Sequence, residues 1–319
     1  MKVIQELLNG MIMKTSLKDN KITACALAVF CALLWGTAFP FIKLGYRVFS
    51  VENGDIGSML LFAGLRFSLA GILVICFLSA KTRRLSFPRK TELLPVLLLA
   101  AVQTAGQYLC SYCGIGYTTG ANTSIITACS SFITVLAAPL FFKSDKLTPL
   151  KLLGCAVGFG GVLVINGGGG FALATLFGDI LIFCSTLFAA GGNLITKGVT
   201  KGRNPVSITG YQLLLGGLVL TVAGLVFGGR LDLLNGCGVL ILLWLAVVSA
   251  TAFSVWTALL KHHPAGKMAM FNLLVPVFGT VLSGLMLGES VWRIKNLLSL
   301  ILISAGIILV NISRGDKSD

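Results

Sequence analysis

The sequence contains few charged residues and very few acidic ones. Of its 319 residues, 11% are charged, and 11 Asp and Glu stand against 25 Lys and Arg. Hydrophobic residues make up 56% of the chain, and the mean hydropathy is +0.93. A water-soluble domain cannot bury so much apolar surface. The composition therefore predicts an all-α integral membrane protein, because a helix satisfies its backbone hydrogen bonds internally when no water is present.

Groups that bind metals or carry out covalent chemistry are also scarce. The two histidines, His262 and His263, are adjacent, and the CxxC pair Cys110 and Cys113 has no second ligand pair at metal-site spacing. The nine cysteines lie almost wholly in apolar segments, where they are expected to pack as small side chains. No paired nucleophile and base is present either. We expect no metal, no cofactor and no enzymatic activity.

Two glycine-containing stretches do not predict nucleotide binding. The cluster at Gly158–Gly161 lies in an apolar helix and not in a strand-to-helix turn, and the segment before Lys197 lacks the glycine that precedes the lysine of a P-loop. ATP-driven pumping by this chain is therefore not expected.

Long apolar runs recur along the whole chain, and each is close to the roughly 20 residues that cross a bilayer. They predict ten transmembrane helices, with the run 167–170 as a flexible turn between the fifth and the sixth. The expected organisation is a tail at 1–21, a first unit at 22–166, a second at 167–312 and a tail at 313–319. The predicted spans are 22–41, 57–78, 93–115, 121–142, 150–165, 178–196, 206–227, 238–260, 268–287 and 294–312.

The net charge of +14 is unevenly distributed between the two sides of these spans. Of the 25 Lys and Arg, 19 lie in the two tails and at the loops on the same side, five lie on the opposite side, and Arg66 lies inside a helix. Cytoplasmic loops carry the excess of Lys and Arg in membrane proteins. We therefore expect a multi-pass plasma-membrane protein with both termini cytoplasmic, and no nucleic-acid partner.

The chain repeats itself at a spacing of 146 residues. Residues 62–74 align with 208–220, 101–112 with 247–258, and 119–143 with 265–289. The alignment pairs Gly64 with Gly210, Arg66 with Gln212, and Gly71 with Gly217. Because each unit has five helices, an odd number, the two units are predicted to lie in opposite orientations, as inverted repeats. Such repeats are typical of transporters that open a shared site alternately to each side.

Four segments carry recognisable motifs: WGTAFPFIKLG from Trp35, LRFSLAG from Leu65, YTTGANTSII from Tyr117 and PVFGTVLSGLMLGE from Pro276. In this order and spacing they resemble the EamA-type family of the drug/metabolite transporter (DMT) superfamily. The resemblance implies two inverted five-helix EamA repeats around a central cavity that moves amino acids or other small polar metabolites, often outward. One departure is Phe142 and Lys143, which align with Gly288 and Glu289, where the family often keeps a Gly-Glu pair in both halves.

Arg66 is the main candidate for a functional residue. It lies inside the second predicted helix, about nine residues or roughly 13 Å from its outer end. An ionisable group at this depth is a functional candidate by default. Arg66 either binds an anionic group of the substrate or has a structural or gating role. In the second case its side chain pairs with backbone carbonyls or reaches the membrane interface and so fixes the helix. The sequence leaves both interpretations open.

Other polar and aromatic residues are predicted to line the cavity, because lipid offers no hydrogen-bond partners. The alternative for each is a hydrogen bond that joins helices. With Arg66, the candidate cavity residues are Gln103, Gln107, Tyr108, Asn193, Gln212, Ser254, Trp256 and Asn272. The candidate gating or structural residues are Trp35, Pro40, Pro276 and Glu289.

The expected function is secondary transport, most readily the export of amino acids or related metabolites by alternating access. Uptake of a nucleoside or vitamin-like solute, and translocation of lipids or drugs, are the alternatives. No carboxylate is predicted near mid-membrane, which favours facilitated export or coupling at Asp179 and Glu289, near helix ends. The expected partners are a small-molecule substrate and the lipid bilayer, with the protein a monomer or a homodimer.

Overall fold

A computed structural model describes residues 21–52, 54–83, 90–115, 117–118, 120–166, 176–287 and 294–313. Glu289, the turn at 167–170 and almost all of the two predicted tails lie outside the described residues. Every regular element in the described ranges is a helix, as the composition predicted.

The helices follow one another with short connections. Eight are regular: α1 (Lys21–Val48), α2 (Ile56–Thr82), α4 (Gly120–Phe141), α5 (Pro149–Asn166), α6 (Leu176–Val199), α7 (Pro205–Val226), α8 (Gly236–His262) and α10 (Ile294–Ile312). The helix α3 consists of Lys90–Leu99, a π-helical stretch Ala100–Gly106, and Gln107–Ile115. The helix α9 consists of Ala265–Ala269, a 3-10 turn Met270–Leu273, and Leu274–Leu287.

Seven of these helices, α1 to α3 and α6 to α9, are long and apolar enough to cross a membrane. The other three contain shorter apolar stretches, Ile126–Phe141, Pro149–Val164 and Leu297–Ile312. Most predicted ends agree with the observed ends within about four residues, but the end predicted for the first span was wrong. α1 continues past Pro40 to Val48, because the loss of apolar character at Lys43 does not itself stop a helix.

The helices α2 and α7 pack antiparallel, and glycines line their contact. A Cβ atom on Gly64 would lie 2.4 Å from the backbone nitrogen of Thr221, and one on Gly71 would lie 2.4 Å from that of Leu214. The glycines therefore allow the two backbones to approach as closely as in small-residue membrane interfaces. α5 and α10 pack in the same way, with Gly154 and Gly158 against Gly306.

The remaining helices form two bundles on either side of the α2–α7 pair. In the first bundle, α1 packs against α8 and α9. In the second bundle, α6 packs against α3 and α4. The largest buried apolar cluster lies mainly around α1, α8 and α9.

Two helices lose regular α geometry where polar side chains are buried. The π-helical stretch of α3 contains Gln103 and Thr104, and π-helical turns occur frequently at functional sites. The 3-10 turn of α9 ends just before Pro276, which has no N–H to donate to the carbonyl of Asn272. Both irregular segments thus contain predicted cavity residues, Gln103 in α3 and Asn272 in α9.

Candidate functional site

Arg66 is buried between helices and has no ionic partner in the described part of the chain. Its side chain is 3% exposed, and Nε donates a hydrogen bond to Oγ of Ser249 on α8 over 2.8 Å. The guanidinium carbon lies 4.9 Å from the centre of the Phe67 ring. Arginine carries five N–H donors, so this single hydrogen bond leaves most of them unused among the described residues.

Aromatic side chains surround this guanidinium. Tyr46, Tyr108 and Tyr112 lie close enough to interact electrostatically with Arg66. The ring of Phe67 packs against Tyr108, with centroids 4.5 Å apart. We call Arg66, Ser249 and these three tyrosines the arginine layer. It combines residues of α1, α2, α3 and α8, so that both bundles contribute to it.

A second set of polar side chains, the glutamine layer, joins α3, α6 and α7. Oε1 of Gln103 accepts a hydrogen bond from Nε2 of Gln212 over 2.9 Å and one from Oγ1 of Thr196 over 3.0 Å. Gly192 and Gly216 make room for this network, since a Cβ atom on either would lie under 3.0 Å from the side chain of Gln103 or Thr104. The sequence predicts Gln103 and Gln212 in one cavity with Arg66.

The two layers lie at different heights along the α2–α7 pair. Gly71 of α2 lies opposite Leu214 of α7. Because the two helices are antiparallel, Gln212 lies opposite position 73 of α2, about seven residues after Arg66. At 1.5 Å per residue, that offset is about 10 Å. The predicted cavity residue Gln103 lies in the π-helical stretch of α3, and Gln107 begins the regular helix that follows it.

The side chains of Trp256 and Asn193 bridge the two bundles. Nε1 of Trp256 on α8 donates a hydrogen bond to Oδ1 of Asn193 on α6 over 3.0 Å. Both side chains are buried. The Trp256 ring also packs edge-on against Trp35, whose own ring contacts Phe253 at 5.5 Å. The three rings form one aromatic cluster beside the arginine layer.

The bundles are joined again at the end of the molecule where α1 begins and α10 ends, which we call the terminal end. Nζ of Lys197 on α6 forms an ion pair with Oδ2 of Asp145 over 2.9 Å, and the two side chains are 3% and 0% exposed. The same carboxylate accepts hydrogen bonds from the backbone nitrogens of Ala265 and Gly266 over 3.2 and 3.3 Å. A carboxylate is stabilised at a helix N-terminus, here that of α9.

Lys197 makes two further contacts at this end. Its Nζ donates to the backbone oxygen of His263 over 3.3 Å and to Oγ of Ser144 over 3.2 Å. Asp145 and Lys197, with the backbone they bind at His263, Ala265 and Gly266, form what we call the terminal latch. It connects the second bundle to the α8–α9 turn of the first.

The other predicted residues occupy varied positions. Gln107 is half-buried, and Ser254 is buried on α8. Oδ1 of Asn272 and Nε1 of Trp35 are buried without a hydrogen-bond partner among the described residues. Pro40 and Pro276 lie inside α1 and α9, and Glu289 lies outside the described residues.

Sequence reasoning missed several residues of these networks. The Asp145–Lys197 pair leaves no local signal in the sequence, because Asp145 lies in a loop 52 positions from Lys197. Sequence reasoning also overlooked Ser249, which the repeat could have identified: Ser249 aligns with Gln103 at the same spacing of 146 that pairs Arg66 with Gln212. A search for repeat-related polar pairs would have found it.

The sequence profile of the EamA-like transporter family matches residues 22–167 and again residues 176–312. The chain belongs to the EamA-like transporter family. The resemblance described from its motifs is therefore confirmed, and the protein is a multi-pass membrane protein.

Relatives named as transporters or as an efflux pump agree with this assignment. A probable amino-acid metabolite efflux pump of Salmonella typhimurium is 27% identical over 300 residues, which cover 89% of this chain and 93% of that protein. The uncharacterized inner membrane transporter YedA of Escherichia coli is 26% identical and covers 88% of each chain. An uncharacterized transporter of Archaeoglobus fulgidus is 27% identical, over 81% of this chain and 86% of its own.

A solved crystal structure shows the same fold. It superposes with a TM-score of 0.76 over 91% of this EamA-like transporter and 98% of its own chain, at 16% sequence identity. At that identity, the likeness concerns the fold alone.

Proposed function

We propose that this EamA-like transporter is a secondary transporter that exports amino acids or related small polar metabolites by alternating access. Its ten helices all cross the membrane as two inverted five-helix repeats, and the substrate binds between the two bundles. The observation that carries the proposal is the terminal latch, because it joins the two bundles at one end of the molecule through a buried ion pair and hydrogen bonds to one carboxylate.

Contacts within the α2–α7 pair support the inverted repeats. In a two-fold arrangement, if one residue contacts another, their symmetry partners contact each other as well. Gly64 meets Thr221, and its repeat partner Gly210 meets Ile75, which is the repeat partner of Thr221. The α5–α10 pair follows the same rule at a spacing of 145, with Gly161 against Ile303 and Gly306 against Gly158.

Neighbour relationships between the helices support the same symmetry. α1 packs on α8 and α9, and its counterpart α6 packs on α3 and α4. Two separate matches to the family profile, one in each half, are consistent with a duplication. The shorter apolar stretches of α4, α5 and α10 correspond to the fourth, fifth and tenth predicted spans. In this proposal they also cross the membrane.

The distribution of Lys and Arg orients the molecule, with 19 of 25 on the terminal side. We therefore assign the terminal end to the cytoplasm. The latch then closes the cytoplasmic end of the path between the bundles. At that end, Ala265–Ala269 of α9 packs on α4 and α6, whereas Leu274–Leu287 packs on α1 and α10. The described conformation accordingly corresponds to the cytoplasm-closed state.

Opening of the cytoplasmic end requires the bundles to separate at Ala265 and Gly266. The backbone nitrogens of these two residues donate hydrogen bonds to the carboxylate of Asp145. Breaking them in an open state and forming them in a closed state fits the free-energy difference of a few kcal/mol between the two states of a switching protein. The Salmonella relative named as a probable amino-acid metabolite efflux pump supports the substrate class and the direction. Membership of a transporter family argues against an enzyme.

Counterflow in proteoliposomes tests this function. Vesicles with the purified protein are loaded with one unlabelled compound from a panel of amino acids, nucleosides and organic phosphates, and uptake of the labelled compound is followed. We expect saturable exchange of amino acids, with protein-free vesicles as the control. Exchange of nucleosides alone would favour the uptake alternative. Folded protein that exchanges no member of the panel would contradict the proposal and favour lipid or drug translocation.

A further inference from the structure

We infer that the arginine layer binds a singly charged carboxylate of the substrate, through the guanidinium of Arg66. This inference rests on the proposed function and specifies the chemical class of the substrate. It distinguishes the site from one that recognises amines, nucleosides or phosphates.

The charge balance of the buried residues supports an anionic ligand. Asp145 and Lys197 neutralise each other in the latch. Asp179, at the start of α6, accepts a hydrogen bond from Thr118, and Lys151, near the start of α5, donates to the Lys146 backbone oxygen over 2.6 Å. Arg66 lies deeper along its helix and has no ion pair among the described residues. An uncompensated charge within a bilayer is costly, and an anion from the substrate removes that cost.

The hydrogen-bonding geometry supports the same ligand. Ser249 fixes the guanidinium through Nε over 2.8 Å, which leaves the Nη groups for a bidentate contact, the preferred geometry for a carboxylate. The hydroxyl groups of Tyr108 and Tyr112 belong to the same layer and provide further donors. The site therefore offers several directed donors around one fixed cation.

The number of cations selects a carboxylate over a phosphate. A phosphate monoester carries a charge of about −1.5 to −2 at neutral pH. The arginine layer supplies one positive charge, so that a dianion would retain an unpaired negative charge in a low-dielectric environment. A carboxylate, with one negative charge, matches Arg66 alone.

The aromatic cluster next to this layer indicates the remainder of the substrate. Trp35, Phe253 and Trp256 present rings with centroids 5.3 to 5.5 Å apart. Aromatic faces bind apolar groups and also attract ammonium ions. Every carboxylate among the described residues lies in a loop or in the first turn of a helix, so none is placed to hold a cationic group at these mid-helix rings. We therefore expect apolar amino acids and related monocarboxylates, with the ammonium group optional.

Ligand-induced stabilisation of the purified protein tests the inference without requiring transport. The four probes share one ring: L-phenylalanine, 3-phenylpropionate, phenylalaninamide and phenyl phosphate. A ligand that binds the folded state raises the unfolding temperature in proportion to the logarithm of its concentration over Kd. We expect both carboxylates to raise it, the amide to have no effect, and the phosphate to bind at least tenfold more weakly than the carboxylates.

Two variants assign the effect to Arg66. Arg66→Gln installs the residue found at the repeat-related position 212, where glutamine is accommodated in a fully buried site, and Arg66→Lys keeps the charge. We expect Arg66→Gln to weaken carboxylate binding more than tenfold and Arg66→Lys to retain part of it. Size-exclusion chromatography and circular dichroism confirm that both variants are folded.

The outcomes separate this inference from the proposed function. Equal stabilisation by the amide and the acid, unchanged carboxylate binding by folded Arg66→Gln, or no stabilisation by either carboxylate would each overturn the inference. Amino-acid counterflow measured in parallel would still support transport in those cases. Loss of counterflow with every compound would instead contradict the proposed function.

Discussion

Nε of Arg66 and Oγ of Ser249, 2.8 Å apart, form one of two hydrogen bonds that the internal repeat places in corresponding positions. The other joins Nε2 of Gln212 to Oε1 of Gln103 over 2.9 Å. Gln212 is the repeat partner of Arg66, and Gln103 is that of Ser249. One half of the molecule thus keeps a cation where the other half keeps a neutral amide, so the two corresponding hydrogen bonds differ in charge.

Substitution Ser249→Ala removes the acceptor that fixes Arg66. Because a hydrogen bond to a charged group contributes about 1.5–3 kcal/mol, we expect the concentration for half-maximal carboxylate exchange to rise at least tenfold. Counterflow kinetics measure the change. Ser299→Ala is the matched control, since its hydroxyl is buried without a hydrogen-bond partner among the described residues. Equal effects of the two variants would contradict the assignment.

Substitution Lys197→Met leaves Asp145 buried without its cation. We expect a loss of about 3–5 kcal/mol in the free energy of unfolding, together with faster hydrogen exchange at residues 263–269. The double variant Asp145→Asn with Lys197→Met should lose less than the sum of the single variants, with a coupling of about 1–3 kcal/mol. Unfolding in detergent and hydrogen-exchange mass spectrometry measure both effects.

The matched control for this pair is Lys201→Met, which removes the same charge from an exposed position near the end of α6. Its effect should stay within about 0.5 kcal/mol. If Lys197→Met is as stable as Lys201→Met, the latch does not hold the bundles together.

Substitution Gly217→Ala forces a Cβ atom to within 2.4 Å of the backbone nitrogen of Ser68. Since backbone cannot move aside as a side chain can, the α2–α7 pair should separate at a cost of about 1–3 kcal/mol. In contrast, a Cβ atom on Gly160 would meet nothing within 4 Å. Gly160→Ala should be neutral or stabilising, because alanine favours a helix by about 1 kcal/mol over glycine. Thermal unfolding that ranks the two variants in the opposite order would disprove this view of the interface.

Substitution Trp256→Phe keeps a ring but removes the hydrogen bond to Asn193. Hydrogen bonds between membrane helices contribute about 0.6–1.7 kcal/mol, so the unfolding temperature should fall by a few degrees. Trp244→Phe is the control, since Trp244 is 43% exposed on the same helix and should be close to neutral. An unchanged unfolding temperature in Trp256→Phe would show that the contact across the bundles is dispensable.

Much of the fold could be predicted from the sequence. Apolar length placed the helices, and α10 agrees with its predicted bounds at both ends, Ile294 and Ile312. The end of α1 at Val48 could not be predicted, because apolar length locates the membrane but not the point where a helix stops. The π-helical stretch at Ala100–Gly106, which packs against α6 and α7, also left no pattern in the sequence.

The candidate site could be predicted only in part. Depth within an apolar span singled out Arg66, and the repeat paired it with Gln212. The sequence predicts Gln103, Gln212 and Arg66 around one cavity, and the antiparallel α2–α7 pair sets Arg66 and Gln212 about 10 Å apart along the helices. The partner of each side chain depends on which helix lies opposite, and local spacing contains no such information.

The sequence by itself determined the membrane environment, the helical class, the family and the internal duplication. Each follows from apolar length, composition, family motifs or residues that recur at a fixed spacing. Only the tertiary structure decided that Ser249 holds Arg66, that Asn193 binds Trp256, and that Asp145 and Lys197 join the bundles. These contacts link residues from 52 to 183 positions apart. Such contacts form when helices pack, so they are properties of the folded arrangement and not of any one segment.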